Sequence, residues 1–204
     1  MHSTIILESV CLVCVMKTIT IAIIGTHCTR KTTLCHLLTG KLKEEGKNVT
    51  HLHEIATSCP MPINQETSVD AQLWILLNQI QHEIELSSKP YDYIVLDRCV
   101  LDNYAYFERA FVKSNSKEQS KMDMASNLLK QWINTYDFIF KTEMTPEINS
   151  DSIRCIDPTF RQDIENRLVQ LCSSLNLKTL HHISGTNEEK LNKMLSVINN
   201  RPKD

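Results

Sequence analysis

A loop of small and polar residues follows the first strongly apolar segment of the chain. The β-branched run TITIAII, residues 18–24, leads into GTHCTRKTT. The pattern G-x-x-x-x-G-K-[ST] binds phosphate, because backbone N–H groups surround the phosphate, the lysine neutralises it and the hydroxyl binds Mg²⁺. The loop therefore predicts a phosphate-binding site, for which the candidate residues are Gly25, Thr26, His27, Cys28, Thr29, Arg30, Lys31, Thr32 and Thr33.

Arg30 departs from this pattern at the second glycine. Glycine there adopts a backbone with φ > 0, which costs a residue with a side chain on the order of 1 kcal/mol or more. Three outcomes are open: the loop is reshaped, it keeps its shape under strain, or the Arg30 guanidinium adds a second positive group near the phosphates. The pattern without this glycine recurs by chance in roughly a tenth of chains this long. The competing prediction is an ordinary helix, capped by Thr29, with Lys31 in solvent.

Two acidic residues follow other predicted strands. Asp97 ends the apolar run DYIVLD, where a carboxylate can hold Mg²⁺ or accept a hydroxyl proton from a substrate. Arg98 can bind a substrate phosphate or orient Asp97, and Glu54 is a second candidate base. Ligands of parallel sheets bind beyond the carboxyl ends of the strands, so we expect Gly25, Glu54 and Asp97 on one rim. The simpler alternatives are a salt bridge at the strand end for Asp97 and a solvated loop acid for Glu54.

Further candidates lie on later segments. The helix that follows Asp97 carries residues that could contact a base or a sugar, or could simply pack: Asp102, Asn103, Tyr104 and Tyr106. Arg154 and Arg161 flank an Asp-Pro pair before another predicted helix. On a mobile loop, these two arginines could close over a transferred phosphate, and the alternative is that they are surface charges.

Strand and helix patterns alternate along the chain. We predict strands at 18–24, 49–53, 92–97, 137–140 and 177–183, and helices at 31–45, 69–86, 99–112, 122–135, 159–174 and 187–199. This alternation predicts an α/β fold, with a five-stranded, mostly parallel sheet and helices on both faces.

Composition limits the classes of protein that remain. With 204 residues, 42% of them hydrophobic, the chain suits one domain, which we expect at 16–204 after an N-terminal extension at 1–15. That extension lacks the features of a signal peptide and is too short to span a bilayer. A net charge of −2 argues against nucleic acid and membrane partners. The eight scattered cysteines suggest reduced thiols and a cytoplasmic location.

Four segments together resemble a known group of proteins: GTHCTRKTTL, HEIATSCPMPINQETSVDAQLWI, YDYIVLDRCVLDNYAYF and DSIRCIDPTFRQDIE. They are similar to ATP-binding proteins of an AAA-family group that is related to nicotinamide riboside kinase-like domains and thymidylate kinases. The resemblance covers residues 18–199 and implies a three-layer P-loop NTPase fold with a small lid. The resemblance does not imply the ring assembly of AAA motor proteins, because this one small domain lacks the separate helical subdomain that such rings use.

The resemblance also implies an activity, which is transfer of phosphate from ATP to a nucleoside, a nucleotide or a similar small acceptor. Lys31 and Thr32 would bind ATP and Mg²⁺, and Asp97 and Arg98 would serve Mg²⁺ and substrate. Glu54 would face the acceptor, and Arg154 and Arg161 would belong to the lid. Kinases of this size are often homodimers, which is an expectation by analogy alone.

Two departures from the family bear on this activity. Relatives usually carry glycine in place of Arg30, which puts ATP affinity and turnover in question. They often carry arginine in place of Thr57, which removes an anionic-substrate contact. The alternative is therefore a nucleotide-binding sensor or regulatory protein with impaired catalysis.

Overall fold

The structure, a computed structural model, describes residues 17–115, 117–144 and 157–201. The predicted extension at residues 1–15 and Arg154 lie outside these ranges. Five strands alternate with six helices. The strands are β1 Ile19–Ile24, β2 Val49–Leu52, β3 Tyr93–Asp97, β4 Phe138–Thr142 and β5 Leu180–Ile183. The helices are α1 Lys31–Glu44, α2 Val69–Ser87, α3 Val100–Lys113, α4 Gln119–Trp132, α5 Pro158–Leu175 and α6 Asn187–Asn199.

The strands form one sheet in the order β2-β3-β1-β4-β5, and every pair of neighbouring strands is parallel. The central strand β1 places Ile21 opposite Val95 of β3 and Phe138 of β4. The predicted α/β fold with a five-stranded sheet is confirmed.

The core has one layer on each face of the sheet, because successive side chains of a strand point to opposite faces. Ala22 and Ile24 of β1 pack into the cluster that α2, α3, α4 and α5 cover. Ile21 and Ile23 pack into the cluster that α1 and α6 cover. This arrangement explains why β1 is apolar at every position from 21 to 24.

Three elements, β4, α4 and β5, differ from their predicted bounds by two residues or more. Strand β4 continues to Thr142, because an ion pair with Glu165 of α5 allows the charged Lys141 to be buried within the strand. Helix α4 begins at Gln119, where exposed polar residues give no apolar periodicity. Strand β5 begins only at Leu180, because α5 ends at Asn176 in a left-handed conformation and a turn follows it.

None of the helices in the described ranges is long and apolar enough to cross a bilayer. None of the five cysteines within those ranges forms a disulfide.

Candidate functional site

The carboxyl ends of β1, β2 and β3 bring the predicted rim residues together. The guanidinium of Arg98, the residue directly after β3, links the segment after β1 to the segment after β2. Its Nη1 donates to the carbonyl oxygen of Gly25 at 3.2 Å, and its Nε donates to Glu54 Oε1 at 2.7 Å. The parallel order β2-β3-β1 makes this convergence necessary, because all three strands end at the same edge.

The backbone of the phosphate loop, residues 25–33, needs a glycine at its first position. Gly25 has φ 147°, and a Cβ on it would lie 2.2 Å from Thr142 Oγ1. Thr142 occupies that space because its hydroxyl lies 3.0 Å from the carbonyl oxygen of Ile24 and 2.8 Å from Thr29 Oγ1, two acceptors that share its single proton. Thr29 in turn donates to the carbonyl of Thr26 at 3.0 Å. These bonds hold the start and the middle of the loop against β4.

Arg30 adopts the left-handed conformation that glycine normally supplies at this position. Its φ and ψ are 61° and 26°, it is the N-cap residue of α1, and its side chain is exposed. Between a reshaped loop and a strained one, the backbone of Arg30 therefore shows the strained loop, and a role of its guanidinium near phosphates stays a prediction. Cys28, with φ 59°, is a second non-glycine residue of the loop with positive φ. The competing prediction of a Thr29 cap is wrong, because the Thr29 hydroxyl binds within the loop instead.

The Lys31 side chain folds back into the loop and is not solvated. It is 5% exposed, and its Nζ donates to the carbonyl oxygen of Thr26 at 2.6 Å. Burial, followed by the nearby Arg98 charge, lowers the pKa of Lys31 to about 8, although Asp97 and Glu54 act in the opposite direction. An anion beside Lys31 would restore its full charge. Thr33 lies exposed on the first turn of α1.

Thr32 and Asp97 form a polar pair beside this lysine. Thr32 Oγ1 donates to Asp97 Oδ2 at 2.5 Å, and Asp97 is 2% exposed. Its second oxygen, Oδ1, is buried and accepts no hydrogen bond from the described residues. A buried carboxylate oxygen without a donor is costly, so this pair suits a divalent cation that oxygen atoms coordinate.

Arg98 is the centre of a buried ion cluster. Besides Glu54, it contacts Asp102 Oδ2 at 3.1 Å and lies 5.1 Å from the ring centre of Tyr106. Although burial disfavours its charge, the Glu54 carboxylate holds the pKa of Arg98 well above its ordinary value. Asp102 also accepts from the backbone N–H of Cys99 at 2.8 Å, which completes a capping box at the start of α3. Arg98 therefore orients Glu54, while Asp102 has a structural position.

A cleft, here called the rim cleft, opens beside this cluster and has an empty volume of ≈ 550 Å³ that includes space open to solvent. Its lining comprises His27, Glu54, Ala56, Thr57, Ile63, Asn64, Gln72, Ile75, Arg98, Asn103 and Tyr106. Of the predicted base or sugar contacts on α3, Asn103 and Tyr106 face this cleft. Tyr104 faces elsewhere, with its hydroxyl 3.5 Å from the sulfur of Met122.

His27 joins the phosphate loop to the rim cleft. Its Nδ1 lies 3.3 Å from the Tyr106 hydroxyl, and its ring stacks on Phe160 at 5.3 Å between centroids. Burial and the Arg98 charge lower the pKa of His27 to about 4, so the imidazole is neutral at neutral pH. The sequence pattern placed His27 in the phosphate loop but carried no signal of its place in the cleft.

The two predicted lid arginines have different outcomes. Arg161 lies in the first turn of α5, is 4% exposed, and donates from Nε to the carbonyl of His27 at 3.2 Å. It is therefore a helical residue, within the helix predicted at 159–174, and it supports the phosphate loop, while its lid role stays a prediction. Arg154 and the segment before α5 lie outside the described residues.

Sequence reasoning missed Thr142, although it lies on the same rim as Asp97. The signal was available, since Thr142 is a polar residue at the carboxyl end of a strand next to β1. The buried Lys141 before it hid the end of the strand.

Comparison with known proteins bears on the family and the fold of the chain. A family model described as an AAA domain matches residues 20–190. A comparison with curated protein sequences finds no match.

Three solved structures have the same fold at low sequence identity. The NadR protein in complex with NR gives a TM-score of 0.70 at 15% identity, over 89% of this chain and 51% of that one. The NadR protein in complex with NAD and AMP-PNP gives 0.65 at 14% identity, over 92% and 51%. Deoxyadenosine kinase from M. mycoides with bound dATP gives 0.64 at 13% identity, over 89% and 99%.

The chain spans about half the length of the NadR structures and nearly the whole of the deoxyadenosine kinase. Because the family model covers most of the sequence, the chain belongs to the AAA domain family, and its fold is that of a P-loop nucleoside kinase-like protein.

Proposed function

We propose that this protein is a kinase that transfers the γ-phosphoryl group of ATP to a hydroxyl group of a nucleoside. The observation that carries the proposal is that Arg98 joins Gly25 of the phosphate loop to Glu54 of the rim cleft. A phosphate donor at the loop and an acceptor in the cleft would therefore meet at one place. The similarity to structures that contain NR, AMP-PNP and dATP supports the same class of ligands.

The phosphate loop would hold the β- and γ-phosphates of ATP. Lys31 would exchange its bond to the Thr26 carbonyl for the phosphate oxygens, and the phosphate charge would keep its amine protonated. Positive charge that is positioned before the reaction stabilises the charge that develops on the transferring group. Arg161 would contribute by holding the backbone of His27, and Arg154 remains a predicted lid residue.

Thr32 and Asp97 fit a Mg²⁺ ion, because the buried Asp97 Oδ1 accepts no hydrogen bond within the described residues and Thr32 offers a second oxygen ligand. When held by these two side chains, the ion would supply positive charge that neutralises the phosphates of ATP. Asp97 would then serve as a metal ligand and would not act as the base.

Glu54 is then the better candidate for the base. Its carboxylate lines the rim cleft, and Arg98 holds one of its oxygens in place. It would take the proton of the acceptor hydroxyl as that oxygen forms its bond to the γ-phosphorus and the bond from that phosphorus to ADP breaks. Arg98 thus has a positioning role through Glu54.

The lining of the rim cleft favours a nucleoside over a nucleotide as the acceptor. Arg98 is the one cationic side chain in the described lining, and two carboxylates already neutralise it. Thr57 stands where relatives often have arginine, and its hydroxyl donates to the Glu54 carbonyl at 2.8 Å. An acceptor phosphate would find no further positive charge there. The amides of Asn64, Gln72 and Asn103 suit the base and the sugar.

An ADP-release assay over a panel of nucleosides and nucleoside monophosphates tests the proposal. We expect turnover with at least one nucleoside, and a 10²–10⁴-fold lower kcat, as a rough range, in Glu54→Gln with retained ATP binding. Asp97→Asn should instead raise the Mg²⁺ concentration that half-maximal activity requires. Glu45→Gln, at the distant exposed end of α1, is the matched control and should leave the rate unchanged. Binding of ATP without turnover of any acceptor would overturn the kinase proposal.

That negative outcome would support the second candidate, a nucleotide sensor. The strained Arg30 in the phosphate loop favours it, because the loop has lost the glycine that relatives use there. A sensor would be stabilised by nucleotide without forming product. A homodimer and a cytoplasmic location stay predictions, which light scattering and microscopy of a tagged chain can test.

A further inference from the structure

Three histidines from two elements meet on the face of the sheet that α1 covers. His36 lies on α1, His51 on β2 and His53 directly after β2. The ring centroids of His51 and His53 are 4.3 Å apart, and His36 lies 4.9 Å from His51 and 5.8 Å from His53. One ring nitrogen of each lies within 4.8 Å of the nitrogens of the other two. We call these three residues the histidine cluster.

The backbone explains why they meet. Residues 51 and 53 are two positions apart on extended chain, so their side chains point to the same face of the sheet. Helix α1 packs on that face against β2, and His36 projects from it toward the strand. Two ligands therefore come from one strand and the third from the helix that covers it.

The cluster is unfavourable as an ordinary surface feature. Three imidazoles at this distance repel one another when protonated. His51 Nε2 is also buried and has no hydrogen-bond partner within the described ranges. A metal ion would supply that partner, and imidazole nitrogen is a common metal ligand.

From this geometry we propose that the histidine cluster is a binding site for a divalent transition metal, with Zn²⁺ as the ion it suits. Tetrahedral coordination at Zn–N distances of about 2.0–2.1 Å places the nitrogens about 3.3 Å apart. Rotation of the exposed His36 and His53 side chains brings nitrogens that lie within 4.8 Å to that spacing. Three imidazoles leave a fourth position for water or another ligand.

This site adjoins the Thr32 and Asp97 pair, because a ring nitrogen of His51 also lies within 4.8 Å of an Asp97 oxygen and of Cys35 Sγ, but the two sites differ in ligand chemistry. Imidazole nitrogen favours zinc, copper and nickel, whereas Mg²⁺ takes oxygen ligands. The two sites are nevertheless close in the chain, since His36 lies one helical turn beyond Thr32 and His53 directly precedes Glu54. A bound ion would join α1, which carries Thr32, to the segment after β2, which carries Glu54.

The test is isothermal titration of the full-length, nucleotide-free protein with Zn²⁺, alongside thermal unfolding. We expect one equivalent to bind and raise the melting temperature, and His36→Gln and His53→Gln each to weaken binding at least about 100-fold. Both positions are exposed, so these variants should fold. His182→Gln, an exposed histidine on β5, is the matched control and should bind as the wild type does.

Co²⁺ supplies a second measurement, because it reports on ligand type. The histidine cluster predicts visible d–d bands without the near-ultraviolet charge-transfer band that thiolate ligands add. Thiolate absorption, or equal Zn²⁺ binding by wild type and both cluster variants, would overturn the proposal. Neither result depends on ATP or on turnover, so failure of the metal site and failure of the kinase proposal are distinguishable.

Discussion

Replacing Arg30 by glycine should stabilise the protein, although arginine is the natural residue. The Arg30 backbone has φ 61° and ψ 26°, its side chain makes no cap hydrogen bond, and it is exposed. The left-handed conformation costs an L-residue roughly 1–2 kcal/mol. Glycine removes this cost but adds about 0.4–1 kcal/mol of conformational entropy to the unfolded chain.

The midpoints of these two ranges, about 1.5 and about 0.7 kcal/mol, leave a net gain of about 0.8 kcal/mol in the free energy of unfolding. A chain of this size converts 1 kcal/mol into roughly 2–4 °C of melting temperature, so we expect an increase of about 1–4 °C. Urea denaturation measures the free energy directly, and the slope with denaturant should not change, because the folded surface is the same.

Arg30→Ala is the control, since it removes the guanidinium but keeps a side chain in the left-handed conformation. We expect it to be no more stable than the wild type. If the alanine variant gains as much as the glycine variant, the guanidinium was destabilising and backbone strain is not the cause. If Arg30→Gly is less stable than the wild type, the reasoning from φ is refuted.

The same two variants address turnover. Because the loop already has the backbone conformation that glycine supports, Arg30→Gly should keep its phosphate-binding N–H groups in place. We expect kcat to stay within about tenfold of the wild type, or to rise. A larger loss in both variants would show that the Arg30 guanidinium contacts the transferred phosphate.

Three further predictions concern other parts of the molecule. Nucleotide binding should take up protons at about pH 8.5, because the pKa of Lys31 is lowered to about 8 in the free protein and a bound phosphate raises it. Calorimetry in two buffers that differ in ionisation enthalpy detects this uptake. Equal heats of binding in the two buffers would contradict it. Burial raises the pKa of Glu83 to about 7, even though Trp132 donates a hydrogen bond to its carboxylate. The protonated Glu83 therefore contributes fully to the free energy of unfolding below about pH 4.5, its ordinary pKa, and this contribution is lost as the pH rises toward 7. Glu83→Gln should flatten this pH dependence, by at most about 3 kcal/mol in urea denaturation, and an unchanged curve would argue against it. Gly25→Ala should destabilise the protein and abolish nucleotide binding, since the Cβ meets Thr142 Oγ1, and adding Thr142→Ala should recover only part of the stability because φ stays at 147°.

Local sequence patterns were enough to predict the sheet. Residues 21–24 are apolar at every position, which indicates a strand with both faces covered, and α1 follows with apolar residues at helical spacing. The order of strands and helices then predicted which strand ends share a rim. Gly25, Glu54 and Asp97 were placed together by that rule before any contact was known.

The conformation of Arg30 was decided by tertiary structure. The sequence showed a missing glycine and allowed three outcomes. Which outcome occurs depends on the loop's attachment to Thr142, more than one hundred residues away, at Ile24 and Thr29. These bonds and the packing of α1 stabilise the left-handed turn against its local cost.

The direction of side chains from α3 is a second such case. Periodicity places Tyr104 and Tyr106 on one helix but does not say which of them meets the rim cleft, because that depends on how α3 is rotated against α2 and α5. The structure turns Tyr106 to His27 and Tyr104 to Met122.

What the sequence by itself determined is the set of elements and the type of chemistry at the phosphate loop, since hydrophobic period and local motif act over a few residues. Tertiary structure alone decided the pairing of Arg98 with Glu54, the lining of the rim cleft and the meeting of His36 with His51. Those contacts join residues that are far apart in the chain, and only the strand order β2-β3-β1-β4-β5 and the packing of helices on it bring them within bonding distance.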